Sequence, residues 1–327
     1  MYKRILVPID NSPHSELAVG VATDLALQFG AEVTGIHVYA ARLHDERFKQ
    51  MEEGLPSRYQ EKQTLEKQRN VHNTLIGEGL HTISDSYLDS FQRSCEAAKV
   101  AFHRKVVEGQ NYVEILKEAA DSPYDLMVMG ILGLGAVDKS SMGSVCGRVA
   151  ARTRTDILIA KAQGPPDGKV MVAIDGSAYA MAALRSALEL ARGRGAAVEV
   201  VSVFDPDFHV RAFHSIAGVL SEEASKSFRF KDQERLHEEI INGGMAKIYR
   251  GHLEGACLIA SQMGHKIEST LLSGKPFEAV LKHVEESQPS LLVLGRFGTH
   301  WTEGLDMGST TDNLLRLAPC NVLIANR

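Results

Sequence analysis

Several hallmarks of common protein classes are missing from this sequence. Its 327 residues include only four cysteines and one tryptophan. The cysteines have no close paired spacing, so we expect free thiols rather than zinc ligands or disulfides. No apolar run approaches the roughly 18 to 20 residues of a membrane span, and residues 1–4 lead straight into a strand rather than a signal peptide. These absences predict a cytoplasmic protein without a membrane partner.

A large charge of either sign is also missing. Lys and Arg number 36 and Asp and Glu 41, which gives a formal net charge of −5 at pH 7. Proteins that bind nucleic acid or anionic membranes usually carry a concentrated basic surface. The mixed charges therefore predict no nucleic-acid partner.

Signatures of catalysis are equally sparse. The chain has no Gly-x-x-x-x-Gly-Lys-Ser/Thr run, no Ser-Gly-Gly loop after its first strand and no His-Glu-x-x-His spacing. No nucleophile stands beside an evident base. We therefore assign no catalytic residue and no metal ligand.

The most informative segment that is present runs from Met129 to Val145. It follows a short apolar run, and helical spacing begins at its end, so it joins a buried strand to a helix. The unpaired N–H groups and the dipole at a helix start attract anions. Ser144 adds a hydroxyl donor there, and three glycines let the backbone approach a phosphate without an intervening Cβ: Gly130, Gly133 and Gly143. The segment predicts a phosphate cradle.

The chain also contains an internal repeat. Asp10 and Asp175, Gly109 and Gly274, Gly130 and Gly295, and Gly143 and Gly308 are all separated by the same 165 residues. A period this long indicates duplicated domains rather than short repeats. The Pro- and Gly-rich segment between the halves is typical of a linker. We therefore predict one domain over residues 1–162, a linker over 163–169 and a second domain over 170–327.

Each half alternates short apolar strands with helices, which predicts a parallel sheet covered on both faces. The predicted strands of the first half are 4–9, 32–38, 101–107, 126–129 and 156–160. Those of the second half are 170–174, 197–203, 266–272, 291–294 and 321–325. The fold class is therefore α/β, with two tandem doubly wound domains of five parallel strands each.

The spacing of the glycines carries a more specific signal. Both halves read Gly, two residues, Gly, nine residues, Gly-Ser, starting at Gly130 and at Gly295. This resembles the nucleotide-binding signature of the universal stress protein family. The resemblance implies strand order 3-2-1-4-5 and a ligand at the switch point between the first and fourth strands. It also implies an ATP-binding stress-response regulator that signals through conformation or association.

Further expectations follow from the same resemblance. The expected ligand is ATP, ADP or AMP, alone or with Mg²⁺. The halves are expected to pair as an internal pseudo-dimer, and a homodimer of the whole chain is a further expectation. The aspartate after the first strand is expected near the ribose and phosphates, and the backbone at Val38 or Val203 near the adenine. The residues assigned to nucleotide binding are Pro8, Asp10, Ser12, Val38, Met129, Gly130, Gly133, Gly143, Ser144, Val145, Asp175, Ser177, Val203, Leu294, Gly295, Gly298, Gly308, Ser309 and Thr310.

Alternatives remain open at this point. Asp10 lies at a helix start and could be only an N-cap. Arg296 in the second loop could contact phosphate or be a solvated surface arginine. The protein could instead be a slow ATPase or phosphotransferase that uses Asp10 and Mg²⁺, or a scaffold with a degenerate second site. The first loop, with Lys139 beside Asp138, is expected to suit phosphate better than the second, which carries Glu303 and Asp306.

Both halves carry a long insert between the second and third strands, over about residues 40–99 and 205–264. Ile83, Tyr87, Phe91 and Cys95 recur every four residues, which predicts one buried stripe of a helix that lies on the sheet. Residues 42–68 are more polar and could form a mobile lid or an oligomer contact.

Overall fold

The computed structural model describes residues 1–56, 59, 61–137, 141–162, 168–206 and 242–326. The chain divides into two compact units, Met1–Pro165 and Pro166–Arg327. Each unit contributes five of the ten strands in the described part of the chain.

The first unit alternates strands and helices along the chain. Its elements are β1 (Arg4–Pro8), α1 (Pro13–Phe29), β2 (Glu32–Tyr39), α2 (Ala41–Met51), a short 3₁₀ turn (Glu52–Gly54), α3 (Lys62–Ala97), β3 (Phe102–Glu108), α4 (Asn111–Asp121), β4 (Leu126–Gly130), α5 (Ser144–Arg152) and β5 (Asp156–Ala160).

The second unit repeats this order in the part of it that the structure describes. Its elements are β6 (Val170–Ile174), α6 (Ala178–Arg192), β7 (Val198–Phe204), α7 (Asn242–Gln262), β8 (Glu268–Ser273), α8 (Pro276–Ser287), β9 (Leu291–Gly295), α9 (Ser309–Leu317) and β10 (Asn321–Ala325). The strand ends differ from the predicted ones by one or two residues at most.

The strand order confirms the predicted fold. In the first unit the order is β3-β2-β1-β4-β5, and in the second it is β8-β7-β6-β9-β10. The paired strands run parallel. Strands β4, β5 and β10 are buried along their whole length, as expected where helices cover both faces. Each unit therefore has its switch point between its first and fourth strands.

Two serines fix where the first helix of each unit begins. The side chain of Ser12 caps α1 by accepting from Ser15 N, and Ser177 caps α6 by accepting from Ala180 N. At its other end α1 stops at Gly30, which takes the left-handed conformation with φ 59°. Such caps satisfy N–H groups that the helix itself leaves unpaired.

The insert of the first unit forms α2 and α3, and its predicted stripe needs a correction. Ile83 is 43% exposed, whereas Ser84, Leu88, Phe91 and Cys95 are buried. Steps of four residues overshoot a helical turn of 3.6 residues, so a strict four-residue stripe drifts off the buried face. The real face follows steps of four, three and four. Most of the second insert lies outside the described residues.

Two further features complete the fold. None of the four cysteines forms a disulfide; Cys95, Cys146 and Cys320 are buried and Cys257 is partly exposed. Of the helices within the described ranges, none is both long and apolar enough to cross a membrane.

Candidate functional site

The predicted cradle lies at the carboxyl ends of β1 and β4. These strands are neighbours, with Leu6 paired to Met127, so the segments that follow them emerge side by side. Asp10 follows β1, and the glycine-rich loop follows β4. The fold thus brings together two segments that are about 120 residues apart in sequence.

The Asp10 carboxylate joins the two segments through backbone amides. Its Oδ1 accepts from Ser12 N at 3.1 Å, and its Oδ2 accepts from Leu134 N at 3.0 Å. Asp10 is therefore not the N-cap of α1, because Ser12 takes that position. The carboxylate instead holds the glycine-rich loop against the end of β1.

The second unit repeats this arrangement at the equivalent residues. Asp175 Oδ1 accepts from Ser177 N at 3.0 Å, and Oδ2 accepts from Thr299 N at 2.8 Å. Leu134 and Thr299 differ in side chain and share only a backbone N–H at this contact. The geometry is therefore kept by the main chain.

The capping serines also contact the loops. Ser12 Oγ donates to Leu132 O at 3.2 Å, and Ser177 Oγ donates to Phe297 O at 3.3 Å. Ser12 is 2% exposed, and its hydroxyl both donates and accepts within the protein. We therefore regard Ser12 as a residue that positions the loop rather than one that a ligand contacts directly.

Two glycines in each loop are required because the loop backbone passes very close to other atoms of the protein. A Cβ at Gly133 would lie 2.4 Å from Asp10 Oδ2, and one at Gly298 would lie 2.6 Å from Asp175 Oδ2. A Cβ at Gly130 would lie 2.5 Å from the backbone of His14, and one at Gly295 would lie 2.7 Å from the backbone of Tyr179. Any larger residue would push the loop away from its aspartate or from the first helix.

The third glycine of each loop begins a helix. Gly143 is the N-cap of α5 and Gly308 the N-cap of α9, and neither offers a side chain to bond the first-turn N–H groups. Ser144 and Ser309, which follow, are exposed, while Val145 and Thr310 are partly buried. The starts of α5 and α9 thus present N–H donors and the positive end of a helix dipole toward the loop.

The remaining assigned residues form the walls behind the loops. Pro8 is buried at the end of β1. The other four are 3–7% exposed at or near the ends of their strands: Val38, Met129, Val203 and Leu294. Only their backbone and small exposed fractions are open to a ligand. The structure therefore gathers the assigned residues at one edge of each sheet.

An imidazole and a phenol lie near each aspartate. They come from β2 and α3 in the first unit and both from α7 in the second. In the first unit the His37 and Tyr87 rings meet edge to face at 5.1 Å, and in the second the Tyr249 and His252 rings do so at 5.3 Å. Burial lowers the pKa of His37, while Asp10 acts to raise it. Burial and then the carboxylates of Asp175 and Asp205 raise the pKa of Tyr249.

These histidines and tyrosines were not predicted from the sequence. The histidine and the tyrosine occupy different positions in the two halves. A search for identical residues 165 positions apart therefore does not find them. His252 also explains why position 176 holds a glycine, because a Cβ there would lie 2.5 Å from His252 Nε2.

Arg296 is neither solvated nor directed at the loop's phosphate side. It is 6% exposed, its Nη1 donates to Asp306 O at 3.0 Å, and its Nε bonds to Asn326 Oδ1. It therefore ties the second loop to the end of the last strand. The equivalent residue of the first unit is Ile131, also buried. Asp138, Lys139 and Ser140 lie outside the described residues.

The second loop also carries an aromatic cluster. Phe297 meets Tyr179 edge to face at 5.2 Å and packs against Trp301 at 5.4 Å. Trp301 is 46% exposed and is the single tryptophan of the chain. It is therefore a natural fluorescent reporter of events at the second loop.

Comparison with known proteins decides the family. The sequence profile of the Universal stress protein family matches residues 1–161 and again residues 168–326. The chain belongs to the universal stress protein family. The resemblance seen in the glycine spacing is thereby confirmed, and so is its tandem form.

Curated universal stress proteins match about half of the chain. One from Methanocaldococcus jannaschii is 28% identical over 161 residues, which is 49% of this chain and 83% of that protein. YxiE of Bacillus subtilis is 30% identical over 156 residues, or 48% of this chain and 97% of YxiE. A unit of this chain thus corresponds to nearly a whole single-domain relative.

Solved structures match the whole chain. A universal stress protein from Archaeoglobus fulgidus covers 99% of this chain and 98% of its own, with TM-score 0.62 and 18% identity. A functionally unknown protein from Pseudomonas aeruginosa covers 99% of this chain at TM-score 0.62 and 12% identity. At these identities the likeness shows the fold alone.

Other features of this universal stress protein lie outside the glycine-rich loops. Two open grooves, of about 590 and 420 Å³, lie in the first unit at the amino-terminal edge of the sheet and between α1 and α3. Across the described residues, no group of three or more His, Cys, Asp or Glu side chains could hold a metal ion.

Proposed function

We propose that this tandem universal stress protein binds an adenine nucleotide, ATP, ADP or AMP, at the carboxyl edge of each sheet. Occupancy of these sites would be transmitted through conformation or association as part of a stress response. One observation carries the proposal. The hydrogen bond from a loop amide to the aspartate Oδ2, which we call the clamp, occurs in both units: from Leu134 N to Asp10 and, 165 residues later, from Thr299 N to Asp175. The same atoms are used although the surrounding residues differ.

The donor set of the cradle fits a phosphate group. Backbone N–H groups at the starts of α5 and α9 face the loops without a capping side chain, and glycines remove the Cβ atoms that would block approach. Backbone amides and a helix dipole are a common way to hold a phosphate.

The aspartate constrains how a nucleotide lies in the cradle. Asp10 and Asp175 use their two oxygens to accept backbone amides, and each oxygen keeps a further lone pair. A carboxylate repels phosphate but accepts from ribose hydroxyls. The proposed orientation therefore places the ribose beside the aspartate and the phosphates at the helix start.

The alternative functions receive less support. A phosphotransferase that uses Asp10 needs a free carboxylate and a metal, whereas Asp10 already holds the loop. We propose no Mg²⁺ ligand. The pairing of the halves as an internal pseudo-dimer, and of the whole chain as a homodimer, stay predictions.

The first test is nucleotide binding by matched loop variants. We expect the denatured wild-type protein to release adenine nucleotide and calorimetry to show two sites. Gly133→Asp places a side chain against Asp10 and should abolish binding at the first site, weakening it by at least about tenfold. Gly135→Asp adds the same charge to the same loop, where a Cβ meets nothing within 4 Å, and should bind as the wild type does.

The outcomes separate the readings. Circular dichroism of both variants confirms that they are folded. If the wild type binds no adenine nucleotide at millimolar concentration, the proposal is wrong. If both variants lose binding equally, added charge rather than the cradle's geometry explains the loss.

A further inference from the structure

A groove between α1 and α3 of the first unit has the features of a second ligand site. It has a volume of about 420 Å³ and runs along α1 and α3. One end adjoins the cradle, because the lining residues Ile9 and Asn11 flank Asp10. Its apolar floor is formed by Ile9, Val19 and Phe91. Its rim is polar and combines an amide, hydroxyls and carboxylates: Asn11, Glu16, Asp24, Tyr87, Ser90 and Ser94.

The charge of the groove has one sign. Glu16 and Asp24 line it on the α1 side, and no Lys or Arg lines it. In the part of the chain that the structure describes, neither carboxylate forms an ion pair. Glu16 lies in the first turn of α1, where a negative charge favours the helix, but Asp24 has no such benefit. A cation in the groove would meet both carboxylates.

The helix sets the distance between these charges. Glu16, Gly20 and Asp24 are four residues apart and therefore lie along one face of α1. At about 1.5 Å per residue the two carboxylates are separated by about 12 Å along the axis. Gly20 lies between them and leaves the middle of the groove open, since a Cβ there would meet nothing within 4 Å.

The second unit carries different residues at most of the equivalent positions, although Asp24 corresponds to another carboxylate, Glu189. Gly20 is replaced by Arg185, and three lining residues become apolar and larger or longer. Glu16, Thr23 and Ser94 correspond to Met181, Leu188 and Ile259. The fold therefore does not require an open, acidic groove here.

We propose that this groove binds a linear aliphatic diamine or polyamine. Its terminal ammonium groups pair with Glu16 and Asp24, and its methylene chain lies on the apolar floor between them. A long cation with an apolar stem suits such a surface because the charge stays near water while the stem is buried. Neither of the two carboxylates that bind the ammonium groups, Glu16 and Asp24, is among the residues assigned to the nucleotide cradle.

The length of the diamine tests the geometry. The probes are octamethylenediamine, tetramethylenediamine and octylamine, titrated into the full-length protein at low ionic strength, because salt screens exposed charges. We expect octamethylenediamine to bind with a Kd on the order of a millimolar or tighter, and the short diamine and the monoamine at least about tenfold more weakly. Equal binding of the two diamines would overturn the proposal, as would no binding of the long one at about ten times that concentration.

The second unit supplies the matched variants. Gly20→Arg introduces the residue that stands at this position in the second unit, fills the middle of the groove and places a positive charge between its two carboxylates, so it should lose at least about tenfold in affinity. Gly20→Ala should keep wild-type affinity and melt at the same or a higher temperature, because Ala favours a helix interior over Gly. Asp24→Asn should remove the preference for the long diamine. Retained binding in Gly20→Arg would refute the site. Nucleotide content of the same variants should not change, which separates this test from that of the cradle.

Discussion

Among single residues, the clearest finding is that a glutamate is held by several donors in both units but occupies a different position in each: Glu118, which is partly buried, and Glu199, which is buried. Four positions are equivalent between the units. They hold Arg4, Thr34, Lys105 and Glu118 in the first, and Lys169, Glu199, Thr270 and His283 in the second. The carboxylate has moved from helix α4 to strand β7, and its partners have changed with it.

Both carboxylates are held by charged and polar neighbours. Glu118 Oε1 accepts from Lys105 Nζ at 2.6 Å and from the Tyr124 hydroxyl at 2.8 Å. Glu199 lies 2.7 Å from Lys169 Nζ and accepts from Thr270 at 2.7 Å, with His283 Nε2 at 2.8 Å.

The pKa shifts follow from these contacts. Burial acts to raise the pKa of both glutamates, but the neighbouring donors outweigh it and lower it. The stabilisation that these glutamates give is therefore present above their unfolded pKa and is lost as the pH falls through the folded pKa. Burial, with Glu118 nearby, raises the pKa of Tyr124 to about 12.

This exchange predicts a rescue. Glu118→His leaves Lys105 and Tyr124 without their acceptor and should lower the free energy of unfolding by about 1–3 kcal/mol. Adding Thr34→Glu restores a carboxylate at the position that Glu199 occupies in the second unit and should recover part of the loss. Urea unfolding of the single and double variants measures the coupling, and simple additivity would show that the two arrangements are unrelated.

At the scale of elements, the insert helix α3 docks on the sheet through a glycine. A Cβ at Gly35 of β2 would lie 2.9 Å from the Phe102 ring and 3.0 Å from Leu88. Phe102 also packs against Phe91 of α3, with ring centroids 4.8 Å apart. The second unit has Val200 at the position of Gly35 and Ile267 at that of Phe102. The Phe102 ring thus fills the space that a side chain at position 35 of β2 would occupy.

We predict that Gly35→Val destabilises the first unit by about 1–3 kcal/mol because the new methyl groups overlap the Phe102 ring. The double variant Gly35→Val with Phe102→Ile reproduces the second unit's pair and should be more stable than the first change alone. Thermal unfolding of both single variants and the double one gives the interaction energy, expected to be about 0.5–3 kcal/mol. A double variant no more stable than Gly35→Val would contradict this account of the docking.

At the scale of the whole molecule, the two cradles share a clamp but not its surroundings. In the second loop Glu303 and Asp306 are exposed, and Arg296 is bonded to Asp306 O and to Asn326. Its guanidinium is therefore committed to holding the loop. A triphosphate at this site would meet carboxylates without help from that arginine.

We therefore predict that the first site binds nucleotide more tightly than the second. A charge a few ångströms away is worth up to a few kcal/mol at a protein surface, and about 1.4 kcal/mol already gives a tenfold difference in Kd. Calorimetric titration of Gly133→Asp isolates the second site, and titration of Gly298→Asp isolates the first. Trp301 fluorescence should respond only when the second site fills.

Turnover should be slow at both sites. Phosphates that are held without an activated water keep most of their hydrolysis barrier. Equal affinities at the two sites, or ATP hydrolysis near an ordinary enzyme's roughly 10 per second, would contradict this view of the molecule.

The sequence by itself determined the α/β class, the strand order through the family resemblance, and the position of the two cradles. It did so because the glycines and aspartates must keep fixed spacings for a backbone to pass close to a neighbour. The repeat made this visible, since constraints on the main chain survive while side chains around them change.

Only the tertiary structure decided what each side chain does. It showed that Ser12 rather than Asp10 caps α1, that Arg296 is buried, and that Ile83 faces solvent. Leu134 and Thr299 left no signal in the sequence, because a contact made by a backbone N–H does not restrict the residue type. The paired exchanges around Glu118 and Glu199 were not visible in the sequence for a related reason. A change at one position is compensated by changes at the residues that contact it, and the sequence alone does not say which residues are in contact.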